Sequence, residues 1–106
     1  MTTITIKRKN FGLLSIKLSG HASYVQEGPD ILCAALSMAS QMLIIGLEEV
    51  AHAKVRVRED QARGLMSIEV LSSIDDPEVQ TLVKTFKASM LQLSDQYPEN
   101  IHVYSQ

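Results

Sequence analysis

From Ile31 to Leu47 the chain runs without a single charged residue, and that run constrains everything around it. It falls short of the ~20 residues a bilayer span needs and contains Ser37, Ser40, Gln41 and Gly46. Its flanks carry neither an aromatic belt nor a basic cluster, so the expected structure is a buried helix and no membrane partner. Gly28, Pro29 and Asp30 start the helix: proline suits a first turn, and aspartate accepts an orphan N–H. The helix should run from Asp30 to about Val50. Its apolar residues, among them Ile31, Leu32, Leu36, Met38, Met42, Leu43 and Ile45, fall on most faces. A helix of that kind has to be covered on more than one side. A sheet can cover one side; the other calls for a second helix or a second copy of the chain.

The sheet is written on both sides of this helix. Thr3 to Lys7 alternates polar and apolar residues, and Leu14, Ile16 and Leu18 alternate with Ser15, Lys17 and Ser19. Period-2 patterning of this kind marks strands with one buried face. Lys9-Asn10-Phe11-Gly12 supplies turn chemistry between them. Lys54 to Arg58 and Leu65 to Val70 alternate again around the polar loop Glu59–Gly64. Asp76-Pro77-Glu78 opens a second helix with a cap, a first-turn proline and a first-turn acid. Its apolar residues Val79, Leu82, Val83, Phe86, Met90 and Leu93 form one stripe. Pro98 stops it, and Ile101 to Tyr104 makes a last strand. The expected fold class is α+β, in the order β-β-α-β-β-α-β, with a mainly antiparallel sheet and helices on one side. At 106 residues the expectation is a single domain, 1–106, able to fold without staples.

One cysteine permits no internal disulfide, and the N-terminus begins alternating at once rather than as a signal peptide, so a cytoplasmic location is expected. The net charge of −2 supplies no global attraction for nucleic acid. Lys54, Arg56 and Arg58 share one strand face, with Lys17 beside them, but the local sequence interleaves no aromatics, so no direct nucleic-acid partner is expected. No Cys/His spacing resembles a zinc site and no glycine loop suits a phosphate, so neither metal nor cofactor is expected.

Chemistry concentrates between Gly20 and Ser37. A lone cysteine near an apolar helix is commonly packing. Cys33, however, sits at a helix start, where unpaired N–H groups and the positive end of the dipole favour thiolate over thiol. The same N–H groups can hold an oxyanion. A cysteine nucleophile needs a base, and His21 stands at the end of the second strand, from which the loop returns to the helix start. His52 and His102 read as structural or exposed. Asp30, three residues before Cys33, is a helix cap or a partner for His21. Ser37, one turn after Cys33, either bonds back to the helix carbonyl or reaches the thiol.

Gly20-His21-Ala22 together with Gly28-x-Asp30-Ile31-x-Cys33-Ala34-Ala35-x-Ser37 resembles the ribosomal-processing cysteine protease family, Prp, of Firmicutes and related bacteria. Leu32 and Leu36 stand where that family often has valine; outside the motif the resemblance rests on length and element order. It implies a Cys–His endopeptidase with Cys33 as nucleophile and His21 as general base, Gly20, Asp30 and Ser37 supporting them. It further implies a homodimer. The implied substrate is the N-terminal extension of a large-subunit ribosomal protein, number twenty-seven, cut after an aromatic pair. Two other classes compete with this one. A non-catalytic ribosome- or RNA-associated module would use the basic strand face, and a thiol redox sensor would oxidise Cys33 against a partner thiol.

Overall fold

The computed structural model describes residues 2–9, 13–20, 30–60 and 62–105, without the side chains of Lys9, Leu13, Asp30, Ile31 and Cys33. The elements are β1 (Thr2–Lys9), β2 (Leu13–Ser19), α1 (Asp30–Ile45), a π-helical turn (Gly46–Val50), β3 (Val55–Asp60), β4 (Leu65–Val70), α2 (Pro77–Gln96) and β5 (Ile101–Ser105). The α+β order expected from the sequence is the order found. The turn at Asn10–Gly12 and the loop from His21 to Pro29 lie outside the described residues.

The five strands form one sheet in the order β3-β4-β2-β1-β5. Neighbours are antiparallel except β1 and β5, which run parallel, so the sheet is mixed. Both helices are crossovers that skip strands: α1 carries the chain from β2 past β4 to the edge at β3, and α2 carries it from β4 past β2 and β1 to the other edge. Register aligns the apolar positions in rows. Ile4, Leu18 and Met66 lie opposite one another, as do Ile6, Ile16 and Ile68. Because side chains alternate along a strand, one set of rows faces the helices and the other faces away. Ile4, Ile16, Leu18, Ile68 and Val70 are fully buried on the helix side. The neighbouring residues Thr5, Lys17 and Ser67 occupy the opposite side.

α1 buries Leu32, Leu36, Ser40, Leu43 and Ile44, and Leu47 of the π turn completes the stripe. The Ser40 hydroxyl donates to the Leu36 carbonyl at 2.8 Å, which satisfies a polar group inside the core. Within one chain this helix is covered on one side only. Met38, Met42 and Ile45 are 55%, 61% and 50% exposed on the other, so the sequence-based demand for a further cover is left open. Gly46 brings α1 and α2 together: a Cβ there would lie 2.9 Å from Leu82 Cδ2. α2 presents Val79, Val83, Phe86 and Met90 to the core, as its stripe requires.

The start of α2 differs in detail from expectation. Asp76 holds the cap position in an extended conformation, but its side chain makes no capping bond. The turn is closed instead by the Gln80 amide, whose Nε2 donates to the Ile74 carbonyl, and by the Gln80 backbone N–H donating to the Asp76 backbone carbonyl at 2.9 Å. Among the described residues, no helix is long and apolar enough to cross a membrane.

Candidate active site

The candidate residues follow the end of β2 and the start of α1 along the chain. β2 ends at Ser19, and Gly20 follows with φ +84°, a left-handed conformation in which a side chain is strained. Its N–H donates to the Gly64 carbonyl at 2.8 Å. Gly64 itself has φ +62° in the turn between β3 and β4. The chain therefore leaves the sheet toward His21 from a clamped point. Sequence reasoning singled out Gly20 but missed Gly64. The available signal was a glycine closing the polar Gln61-Ala62-Arg63 turn.

α1 begins at Asp30, which makes Asp30 a first-turn residue and places the backbone of Cys33 one turn inside the helix. An acid in the first turn is stabilised by the positive end of the dipole. The first N–H groups of an α-helix have no intrahelical acceptor, and a helix N-terminus of this kind is suited to an anion. Ser37 lies one turn further on and is exposed. His21 and the side chains of Cys33 and Asp30 fall outside the description, so the Cys33–His21 separation is not part of it. His52 and His102 are exposed, and His102 stacks on Tyr104 of its own strand.

Arg63 and Asp60 pair across the β3–β4 turn at 3.5 Å, an exposed contact of small energetic weight. A second exposed pair, Arg8 with Asp75, joins the end of β1 to the turn before α2.

A mixed sheet backed by two crossover helices, with the sole cysteine of the sequence near a helix N-terminus, is a small α+β fold that carries a candidate thiol site. The profile of the cysteine protease Prp family matches residues 1–102, and the chain belongs to that family and is a cysteine protease. The crystal structure of SMU.848 from Streptococcus mutans is 33% identical, with a TM-score of 0.81 over 100% of this chain and 96% of that one. Two structures of the essential ribosomal processing protease Prp from S. aureus superpose along the full length of both chains. One, with a covalently linked product peptide, is 22% identical with a TM-score of 0.83. The other, with a substrate peptide, is 21% identical with a TM-score of 0.85. No curated protein matched.

Proposed function

We propose that this chain is a cytoplasmic single-domain endopeptidase in which Cys33 is the nucleophile and His21 the general base. Its substrate in this proposal is the N-terminal extension of a large-subunit ribosomal protein, number twenty-seven, cut after an aromatic pair. The observation that carries the reading is the match across residues 1–102, combined with the place of Cys33 one turn inside α1. The S. aureus structures hold a substrate peptide and a covalently linked product peptide, which is the kind of adduct a nucleophilic mechanism forms.

The chemistry follows from the elements. His21 takes the proton of the Cys33 thiol, and the resulting thiolate attacks the scissile carbonyl, forming a C–S bond while the carbonyl π electrons move to oxygen. First-turn N–H groups of α1 stabilise that oxyanion; removing one such donor typically costs about 100- to 1,000-fold in rate. The oxyanion collapses, the C–N bond breaks, and His21 gives its proton to the leaving amine. Water, deprotonated by His21, then hydrolyses the thioester and frees Cys33. General acid–base help of this kind contributes about 100- to 10,000-fold. Gly20 fixes where the His21 segment departs, Asp30 supports the helix start, and Ser37 flanks the nucleophile's helix.

The proposal includes a homodimer, supported by the exposed Met38, Met42 and Ile45 face of α1. Its test is incubation of the purified protein with the N-terminally extended ribosomal protein, followed by intact mass. Wild type should release the extension, whereas Cys33→Ala should leave it intact with an unchanged circular dichroism spectrum. Cleavage by that variant at the wild-type rate would remove Cys33 from the mechanism.

A further inference from the structure

We infer that the sheet face turned away from the helices is a binding surface for single-stranded RNA. Register brings together residues that are far apart in sequence. Tyr104, Thr5, Lys17, Ser67 and Arg58 form one row across all five strands. His102, Thr3 and Ser19 lie in the next row on one side, and Lys7, Ser15, Glu69 and Arg56 in the next on the other. The aromatics missing from the basic strand are thus supplied by β5, at the far edge of the same face. That is why the local sequence argued against nucleic acid while the assembled sheet argues for it.

Charge is segregated on this face. It carries Lys7, Lys17, Arg56 and Arg58 against Asp60 and Glu69, a positive balance within a chain of net charge −2. Both acids are engaged, Glu69 by Arg56 at 3.5 Å and Asp60 by Arg63 at 3.5 Å. Among the described residues, Lys7, Lys17 and Arg58 have no ion-pair partner, and all three are exposed. Strands lie about 4.8 Å apart, so Lys17 and Arg58 stand about 10 Å apart, with Tyr104 about as far beyond Lys17. Between Lys17 and Arg58 lies a concavity of about 410 Å³ lined also by Ser15, Ser67 and Leu65, with Glu59, Asp60 and Glu69 at its sides.

Two features select single-stranded RNA over another polyanion. The His102 and Tyr104 rings are 6.5 Å apart and within 19° of parallel, giving two adjacent π faces on which unpaired bases can stack. Thr3 and Thr5 place hydroxyls on β1 between the aromatics and Lys17, and Ser67 places one between Lys17 and Arg58, within the band where a sugar 2′-hydroxyl would run. An acidic protein would use the cations and leave the rings idle.

The test is fluorescence anisotropy of a labelled twelve-residue oligouridine with the full chain, at 50 and 200 mM salt. Three phosphate contacts predict a log–log salt slope near −2, hence about twentyfold weaker binding at the higher salt. Lys17→Glu with Arg58→Glu should weaken binding at least tenfold and flatten the slope. Tyr104→Ala should weaken it about fivefold or more with the slope unchanged, because stacking releases no counterions. Thermal melts of each variant should match wild type, and peptide cleavage should be unaffected. Binding that is absent at 50 mM salt or indifferent to the Lys17/Arg58 change would overturn the inference. So would a silent Tyr104→Ala, equal affinity for the deoxy oligomer, equally effective displacement by polyglutamate, or a loss of cleavage in variants that still bind RNA.

Discussion

The N–H of Gly20 donates to the carbonyl of Gly64 at 2.8 Å, and both glycines have positive φ, so one bond holds two left-handed positions together. It ties the end of β2 to the β3–β4 turn at the point where the chain leaves for His21. An L-residue in that conformation costs about 1–2 kcal/mol. Gly20→Ala should therefore lower the melting temperature by roughly 4–15 °C for a chain of this size. It should also reduce cleavage, because the residue that moves precedes the proposed base. Gly20→Asn should do less harm, since asparagine tolerates the left-handed region. Thermal unfolding followed by circular dichroism, with cleavage measured well below the transition, checks both.

Gly46 and Leu82 set the approach of α1 to α2. A Cβ at Gly46 would come within 2.9 Å of Leu82 Cδ2 and 3.2 Å of Cδ1, closer than side chains pack. Overpacking of this kind costs about 1–3 kcal/mol, although alanine regains up to about 1 kcal/mol of backbone entropy over glycine. Gly46→Ala should be mildly destabilising in wild type and stabilising in a Leu82→Ala background. A double-mutant cycle by urea unfolding reads the coupling directly, and additive effects would contradict the contact.

At the start of α2, Asp76 occupies the cap position without making the capping bond, whereas the Gln80 side chain bonds the Ile74 carbonyl. An aspartate cap commonly contributes about 1 kcal/mol, and Asp76→Ala should cost much less than that here. Gln80→Ala should be the more damaging change, because it leaves the Ile74 carbonyl without its side-chain donor. Urea midpoints for the two variants give the ranking.

Asp30 begins α1 and precedes the nucleophile by one turn. A first-turn acid gains about 0.3–1 kcal/mol from the dipole. If helix support is its whole contribution, Asp30→Asn should keep cleavage within a few-fold of wild type while stability falls by less than about 1 kcal/mol. A loss approaching 10,000-fold at unchanged stability would instead assign it the orientation of His21, as in acid–histidine–nucleophile triads. The ratio of kcat/KM to the change in urea midpoint separates the two.

Much of this structure was legible in the sequence wherever one period decided the matter. The alternation Leu14, Ile16, Leu18 is the buried face of β2, and Val79, Val83, Phe86, Met90 is the buried face of α2. α1 was legible as a helix, but the orientation of its buried face was not, because Leu36 and Met38 are both apolar and only one is covered. Strand order was also invisible: nothing local in Ile101–Tyr104 says that β5 runs parallel to β1 or that Tyr104 shares a row with Lys17. Those relations arise from crossovers and register, which join residues through the sheet rather than along the chain. At the site, Pro29-Asp30 marked the helix start under Cys33. The clamp at Gly64 was missed because a glycine in a polar turn carries no sign of its distant partner.

The uncovered face of α1 yields a last expectation. Met38, Met42 and Ile45 recur at helical spacing, half or more exposed, and a groove of about 180 Å³ opens beside them between Ala39, Leu43, Leu82 and Phe86. Single exposed apolar residues are ordinary, but a contiguous stripe flanked by an apolar groove marks a contact surface. In the proposed homodimer, Met42 of each copy packs at this seam. Met42→Glu should then leave the fold intact, since exposed substitutions usually change stability by less than about 0.5 kcal/mol. It should nonetheless bury an unpaired charge at the interface and halve the mass measured by light scattering, from about twice 11.7 kDa to 11.7 kDa. A wild-type protein that already scatters as a monomer at tens of micromolar would end the dimer proposal. A dimer that survives Met42→Glu would move the interface to another face.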